Sequence, residues 1–449
     1  MKETIAAAAT PPGVGALGIL RLSGEGALKT ALAFIDADSL EPRRATLARA
    51  LIEGEALDET VVTYFPGPRS ATGEDVVEIS CHGSPYILRR LLEAVAANGA
   101  RLARPGEFTQ RAYLNGRLDL AQAEAVCDLI ASRTAQAHRA AMSQLDGGLS
   151  RAVFELRKPI LELLVRIEAN LDHPEEDLPA MAPIDFSAAA DAASKSIDAL
   201  ANTFDRGRIV RQGARVAIVG RPNAGKSSLL NALLGRDRAI VSPQPGTTRD
   251  TIEEEANLEG FTSVLIDTAG LREEACGPVE SVGMERTQRA LKECDLAVLV
   301  IDGSRLKDHE DERVHQRILS EAAREGRPVV SVLNKADLPS LYRDEHAMPV
   351  SALAGQGLAE LSHLITETLS KENGDSPVLI TSLRHRQALG TASGELSKAQ
   401  EAVRDFPGRW EDRAAFHLRA GLRALDEITG AAAPDEVLAE IFSKFCVGK

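Results

Sequence analysis

A glycine-rich turn set between an apolar run and a leucine-rich stretch constrains this 449-residue chain more than any other feature. Gly220-Arg221-Pro222-Asn223-Ala224-Gly225-Lys226-Ser227 follows Arg215 to Val219 and precedes Ser228-Leu229-Leu230-Asn231-Ala232-Leu233-Leu234. Strand, tight turn and helix in that order let backbone N–H groups converge on phosphate oxygens, while the helix N-terminus adds its positive dipole end. Nucleotide contacts are therefore expected from Asn223, Ala224, Gly225, Lys226, Ser227 and Ser228. Lys226 would reach the outer phosphates and the Ser227 hydroxyl would hold Mg²⁺.

Which base follows the phosphates is read further along. Asn334-Lys335-Ala336-Asp337 comes directly after the apolar run Val329 to Leu333, where a buried parallel strand would deliver it to the ligand edge of a sheet. A carboxylate at Asp337 accepts from the ring N–H and the exocyclic amine of guanine, a pair adenine does not offer, and the Lys335 stem can lie over the base. Ser351-Ala352, after Met348 to Val350, fits the companion loop whose backbone N–H faces the guanine carbonyl. Asp267-Thr268-Ala269-Gly270 ends the run Val264 to Ile266, which suits a carboxylate near the Mg²⁺ shell and a glycine N–H on the terminal phosphate. Pro245-Gly246-Thr247-Thr248-Arg249-Asp250 lacks periodicity and reads as a switch loop whose Thr248 hydroxyl joins the Mg²⁺ shell. These motifs in this order spell a GTPase domain.

Hydrolysis needs a group that orients water. Many regulatory GTPases carry a glutamine after the Asp-x-x-Gly glycine, but this chain has Leu271. Glu280, in the stretch Glu273 to Glu280, is near enough in sequence to do the work, and its alternative is a solvated switch-loop carboxylate. The positive charge an arginine finger usually supplies would come from Arg249 or from a bound monovalent cation, and the Asn223 amide oxygen beside the phosphates favours the cation.

At this length about three domains are expected. With 26% charged and 44% hydrophobic residues the chain is globular material with more than one core, and its net charge of −14 excludes a broad non-specific nucleic-acid surface. Five scattered cysteines (Cys81, Cys127, Cys276, Cys294, Cys446) without metal-ligand spacing fit a reducing compartment. The first residues carry too short an apolar run for a signal peptide, and no stretch approaches about 18 apolar residues. A cytoplasmic protein without membrane contact is expected. β-like runs (Gly18 to Leu22, Val61 to Phe65, Val76 to Ser80) and a helical pattern near Tyr86 to Asn98 make residues 1–118 an α+β domain. Residues 119–213 turn helical, with Ile160, Leu163, Leu164, Ile167 and Leu171 at helical spacing. The GTPase motifs occupy 214–375, and 376–449 resumes the helical texture with Phe416, Ala420, Leu422, Leu425 and Ile428. The expected architecture is multidomain α/β: an α+β domain, then a helical bundle into which a Ras-like P-loop GTPase domain is inserted, with Glu372 to Pro377 as exit linker.

The Gly-Thr-Thr-Arg-Asp and Asp-Thr-Ala-Gly-Leu-Arg motifs, the blocks Arg104-Pro105-Gly106-Glu107-Phe108-Thr109-Gln110-Arg111-Ala112 and Leu118-Asp119-Leu120-Ala121-Gln122-Ala123-Glu124, and the ending Phe445-Cys446-Val447-Gly448-Lys449 together resemble the MnmE (TrmE) family of tRNA-modification GTPases. The likeness runs over essentially the whole chain. It implies a homodimer that works with a flavin-containing, MnmG (GidA)-type FAD protein, in a heterotetramer or larger complex, to install an aminomethyl-type group such as carboxymethylaminomethyl at carbon 5 of the tRNA wobble uridine. The carbon would come from a tetrahydrofolate derivative (5-formyl- or methylene-tetrahydrofolate) bound by a folate-binding-like N-terminal domain. Carried over by motif, the folate positions are Arg21, Glu78, Arg117 and Lys449. Glu78 suits the pterin amino-imino edge, and the cations suit the glutamate tail. The K⁺ site maps onto Asn223, Ser242, Gln244 and Thr247 within the loop Ser242-Pro243-Gln244-Pro245-Gly246-Thr247-Thr248. The Mg²⁺ ligands map onto Ser227 and Thr248, and the catalytic glutamate onto Glu280. Position 117 is commonly lysine in the family, and an arginine fork differs from an ammonium. Cys446 is a candidate reactive group, its alternative an ordinary buried cysteine. A regulatory or assembly GTPase whose N-terminal domain only docks partners is the competing class.

Overall fold

The computed structural model describes residues 3–172, 181–236, 252–258, 261–267, 287–342, 344–371 and 378–448. The chain divides into two units, Met1–Ile130 with Ser143–Ser196 and Ala388–Lys449, and Ala131–Met142 with Ile197–Gln387. In the first, β1 (Ile5–Ala8), β2 (Leu17–Ser23), β3 (Thr46–Ile52), β4 (Glu55–Phe65), β5 (Val76–His82) and β6 (Arg101–Leu102) form a sheet in the order β3-β4-β5-β2-β1-β6. Neighbours run antiparallel except β1 and β6. Side chains alternate between the faces of a strand, so Leu20 and Leu22 go to one side and Arg21 to the other. The leucine side also holds Ala6, Val77 and Ile79 and is covered by α1 (Ala27–Leu32) and α2 (Pro85–Ala97) through Ala27, Ala31, Leu88, Leu91 and Val95. Pro85 opens α2 at a position where its missing N–H costs nothing. On the opposite face Ile5 and Ala7 meet Ala103 and Phe108, the latter from α3 (Glu107–Leu114).

The helices α4 (Leu120–Ala131), α5 (Ala135–Leu145), α6 (Gly148–Asp172) and α7 (Pro183–Ala201) follow. Then α8 (Phe204–Gln212) leads into β7 (Ala214–Val219), α9 (Lys226–Arg236), β8 (Ile252–Leu258), β9 (Phe261–Asp267), β10 (Leu296–Asp302), α10 (His309–Arg324), β11 (Val329–Asn334), β12 (Met348–Pro349) and α11 (Leu358–Lys371). The strand order is β12-β11-β10-β7-β9-β8, and every pairing is parallel except β8 with β9. A parallel strand covered on both sides reads as an unbroken apolar run, as β10 does: its first five residues, Leu296 to Val300, are buried without exception. Val216, Ile218, Val298, Val300 and Val332 pack one face against Leu229 and Leu233 of α9 and Leu361 and Ile365 of α11. Ala217, Val219, Leu299 and Ile301 pack the other against Ile318 and Ala322 of α10 and against Ala290 and Leu291. Entry to and exit from this unit meet, since the Ile380 N–H donates to the Thr203 hydroxyl oxygen at 3.0 Å.

The last helices are α12 (Leu383–Asp405), α13 (Trp410–Thr429) and α14 (Asp435–Ser443). α6 packs on α13, burying Val153, Ile160, Leu163, Leu164 and Ile167 on one helix and Ala414, Leu418, Leu422, Leu425 and Ile428 on the other. Arg157 pairs with Asp426 at 2.8 Å, and the Phe186 and Trp410 rings lie 4.9 Å apart. Two members of the apolar patterns are exposed, and Ala420 is only partly buried. Phe416 is 65% exposed because at about 100° per residue it points away from Leu418, and Leu171, in the last turn of α6, is 38% exposed.

Candidate functional site

Open parallel sheets present ligands at the carboxyl ends of their strands, and here the sequence motifs gather at those ends. The phosphate loop leaves β7, Asp267 closes β9, Asp302 closes β10 opposite Asn334 of β11, and Ser351-Ala352 follow β12. Within the loop Asn223 has φ 63°, a left-handed backbone that asparagine tolerates better than most residues, and its side chain is exposed. Lys226 is buried, and its Nζ donates to the Arg221 carbonyl at 2.8 Å, bracing the loop across its width. Ser227 and Ser228 stand exposed in the first turn of α9, and Ala224 is buried beneath the loop.

One buried side chain ties the loops together. Asn334, 2% exposed, donates from Nδ2 to the Ala224 carbonyl at 2.9 Å, while its Oδ1 accepts from the Ala352 N–H at 3.1 Å. Gly225 leaves room for that amide: a Cβ there would lie 2.1 Å from Asn334 Nδ2, and φ is 92°. The next residue, Lys335, also has a left-handed backbone, φ 66°, and its Nζ pairs with Asp302 Oδ2 at 2.7 Å. Burial raises the Asp302 pKa, but the Lys335 ammonium and the Ser304 donors outweigh it and hold the carboxyl below its ordinary range. Asp337 is exposed, with Oδ1 accepting the Ser351 hydroxyl. The Ser351 oxygen in turn accepts the Ala354 N–H at 3.0 Å. Ala336 donates its N–H to the Val350 carbonyl at 3.1 Å. The Ser351 and Ala352 N–H groups are thus spent inside the loop, on Gln356 O and Asn334 Oδ1. The result is a fixed carboxylate at the solvent edge.

A second cluster lies on the first sheet. Arg21 and Glu78 face each other in register, with Arg21 Nε and one terminal nitrogen both 2.8 Å from Glu78 Oε1. The guanidinium also lies 5.8 Å from the Phe108 ring centroid. Arg117 is on a different element, the turn after α3, where it is exposed and lines a cleft of about 580 Å³ with Tyr113, Asp119, Gln122 and Gly430. The C-terminal segment comes to the same sheet. Phe442 and Phe445 bury against Leu120 and Ala123, the Gly106 N–H donates to the Cys446 carbonyl at 3.4 Å, and a Cβ on Gly448 would lie 2.3 Å from the Ala8 carbonyl oxygen. Cys446 is exposed. By contrast Cys81 and Cys294 are buried, and burial pushes each thiol up to about 11. Beside this cluster Glu107, 3% exposed, receives Arg101 at 2.7 Å, Arg111 at 3.3 Å and the Arg104 N–H at 2.9 Å. Burial raises its pKa, yet Arg101, the Arg104 amide and Arg111 together bring it down to about 2.

Ser242, Pro243, Gln244, Pro245, Gly246, Thr247, Thr248, Thr268, Ala269, Gly270, Glu280 and Lys449 lie outside the described residues, as does the Asp267 side chain. Among the described residues no group of three His, Cys, Asp or Glu side chains is arranged to hold a metal. Hydroxyl and amide oxygens such as those of Ser227 and Asn223 are donors that hard cations accept. Three residues with structural weight were given no role by the sequence: Arg221 and Glu107, which lie within motifs, and Asp302, which lies in none. The spacing Asp308-x-x-Asp311 could have flagged the helix start that Arg221 grips, and Glu107 lies in the Arg104 to Ala112 block.

Comparison with known proteins matches this layout. Residues 4–117 match the family described as GTP-binding protein TrmE N-terminus, and residues 120–446 match the MnmE helical domain. Proteins named tRNA modification GTPase MnmE are similar along the entire length of both chains, at 42% identity in Aquifex aeolicus, 44% in Moorella thermoacetica and 43% in Thermus thermophilus. By these matches, and with the P-loop sheet in their midst, the chain belongs to the MnmE family of tRNA modification GTPases.

Proposed function

We propose that the protein binds and hydrolyses GTP to support folate-dependent modification of the tRNA wobble uridine. The observation that carries the GTP half is Asn334, whose buried amide joins the phosphate loop to the Ser351-Ala352 loop. In this reading the loop from Asn223 to Ser228 grips the phosphates, Asp337 accepts from the guanine edge, Lys335 covers the base, and the Gly270 N–H and Asp267 face the terminal phosphate. Ser227 and Thr248 hold Mg²⁺, and Asn223, Ser242, Gln244 and Thr247 hold K⁺. Bound there, the cations supply the electrostatic stabilisation of developing phosphate charge that an arginine finger supplies elsewhere. Glu280 orients the attacking water and accepts its hydrogen bond.

For the modification half, the Arg21–Glu78 pair leaves Glu78 Oε2 and further guanidinium N–H groups to meet a ligand with both donors and acceptors, as a pterin has. Arg117 and Lys449 suit the glutamate tail of a tetrahydrofolate derivative, and the exposed Cys446 stands beside this face. The partners are a second copy of the chain, an MnmG-type FAD protein and tRNA, and the compartment is the cytoplasm; among the described residues no helix is long and apolar enough to cross a membrane. The domain division we favour is 1–118, 119–213, 214–375 and 376–449, with the GTPase segment inserted in the helical one. The test is the GTPase rate in K⁺ against Na⁺ at matched ionic strength over a range of protein concentrations. A rate at least about tenfold higher in K⁺, rising with concentration, is expected if cation and dimer complete the site. Equal rates would remove the cation from the mechanism and leave Arg249 as the charge to test.

A further inference from the structure

The first side chain of the phosphate loop after Gly220 does not face solvent freely. Arg221 Nη1 lies 3.1 Å from both Asp308 oxygens and 2.9 Å from Asp311 Oδ1, and Nη2 lies 2.6 Å from Glu310 Oε2. Asp308 and Asp311 are also the capping box of α10: Asp311 N–H donates to Asp308 at 2.7 Å and Asp308 N–H to Asp311 at 3.0 Å. The ion pairs continue. Arg305 Nη2 lies 2.6 Å from Asp311 Oδ1, and its Nε is 3.9 Å from Asp302, which holds Lys335 at 2.7 Å. Asp311 and Asp302 are 7% and 10% exposed at their side chains, so the two linking carboxylates are shielded from solvent, while Arg305 and Lys335 are 43% and 34% exposed. Three carboxylates thus engage Nη1 and Nη2 of Arg221, which turns the guanidinium toward α10. The Arg221 carbonyl, meanwhile, holds the Lys226 ammonium.

We propose that Arg221 is a positioning residue that latches the phosphate loop to the first turn of α10 and, through Asp311, Arg305 and Asp302, to Lys335, so that the grip on phosphate and the reading of the base tighten together. The inference rests on the guanine-nucleotide reading of this site. The ion pairs to Asp302 hold Lys335 in its left-handed conformation, and Asp337 follows two residues later. Releasing Arg221 loosens the base-reading loop from the far side of the nucleotide, and coupling of this kind is reciprocal.

The test uses the full chain and measures equilibrium binding of GTP and of ITP, which lacks the 2-amino group Asp337 would read, in wild type, Arg221→Ala, Arg221→Lys, Asp302→Asn and the Arg221→Ala/Asp302→Asn double variant. Arg221→Ala is expected to weaken GTP about tenfold, the weight of one charge-assisted hydrogen bond, and ITP by less, so the preference for GTP shrinks. Asp302→Asn should shrink it likewise, the double variant should be no worse than the more severe single, and Arg221→Lys should recover part of the loss. GTP and ITP weakened by one common factor, or losses at 221 and 302 that multiply, would overturn the latch. If Arg221→Ala does not fold, Arg221→Lys against Asp302→Asn carries the same comparison. Wild type that shows no preference for GTP over ITP would sink the guanine reading itself, a separate outcome.

Discussion

The two six-stranded sheets put their polar groups in different places. In the largely parallel sheet the central strands are buried on both faces by apolar side chains, and the candidate residues gather at the carboxyl ends of the strands and in the loops and helix start just beyond them. In the largely antiparallel sheet one face is covered by α1 and α2, and the other carries Arg21 opposite Glu78 in the middle of strands β2 and β5. Loops hold short contiguous motifs; a sheet face is assembled from residues far apart in sequence. That is why one site is spelled in runs of two to eight letters and the other in single residues.

Three changes would break or sharpen the contrast. The largest effect is expected for Gly225→Ala, whose Cβ would lie 2.1 Å from Asn334 Nδ2 at a φ of 92°; the loop tie would be lost, and GTP binding by calorimetry should fall beyond about 100-fold, several kcal/mol of clash and strain. Retained affinity would show that the loops are not held by Asn334. Next comes Glu107→Gln, which leaves Arg101 and Arg111 facing a neutral amide and should cost about 3 kcal/mol at neutral pH by urea unfolding. The sign with pH is fixed: the folded Glu107 pKa is about 2 against the ordinary 4.5, so its contribution is complete above about 4.5 and is lost as pH falls toward 2. The gap between wild type and variant should close over that interval, and a gap independent of pH would mean that packing rather than charge is at stake. Smallest is Arg21→Ala, which removes a partly buried partner of Glu78. It should weaken a reduced folate by about 1–2 kcal/mol while leaving GTP affinity in place; a change in GTP affinity alone would take this face out of folate binding.

The same contrast decides what could be read from residues alone. Asn223 to Ser228, Asn334 to Asp337 and Ser351-Ala352 could be placed at strand ends because strand, loop and helix succeed one another locally, and the strands β2, β4 and β5 showed as β-like runs. The Arg21–Glu78 bond was not, because register across 57 residues depends on how two strands pair. Asn334 was legible as a member of its motif, but its hold on Ala224, 110 residues earlier, was not. Arg221 and Asp302 drew no reading from the sequence, since nothing in it states that a carboxylate 87 residues away caps the helix an arginine will meet. Phe416 misled in the other direction: its type suits a core, but the helical angle that buries Leu418 turns it outward.

The seating of residues 442–448 against the first strand has a bearing on how the molecule is made. Gly106 N–H meets the Cys446 carbonyl and Gly448 touches Ala8, so the ribosome supplies one side of this contact 340 to 440 residues before the other. At about 5–20 residues per second, roughly 20–90 s separate the two. Until then the first sheet has its leucine core but an unroofed edge. The surface around Cys446 therefore closes only once residues 442–448 have emerged and met Ala8 and Gly106.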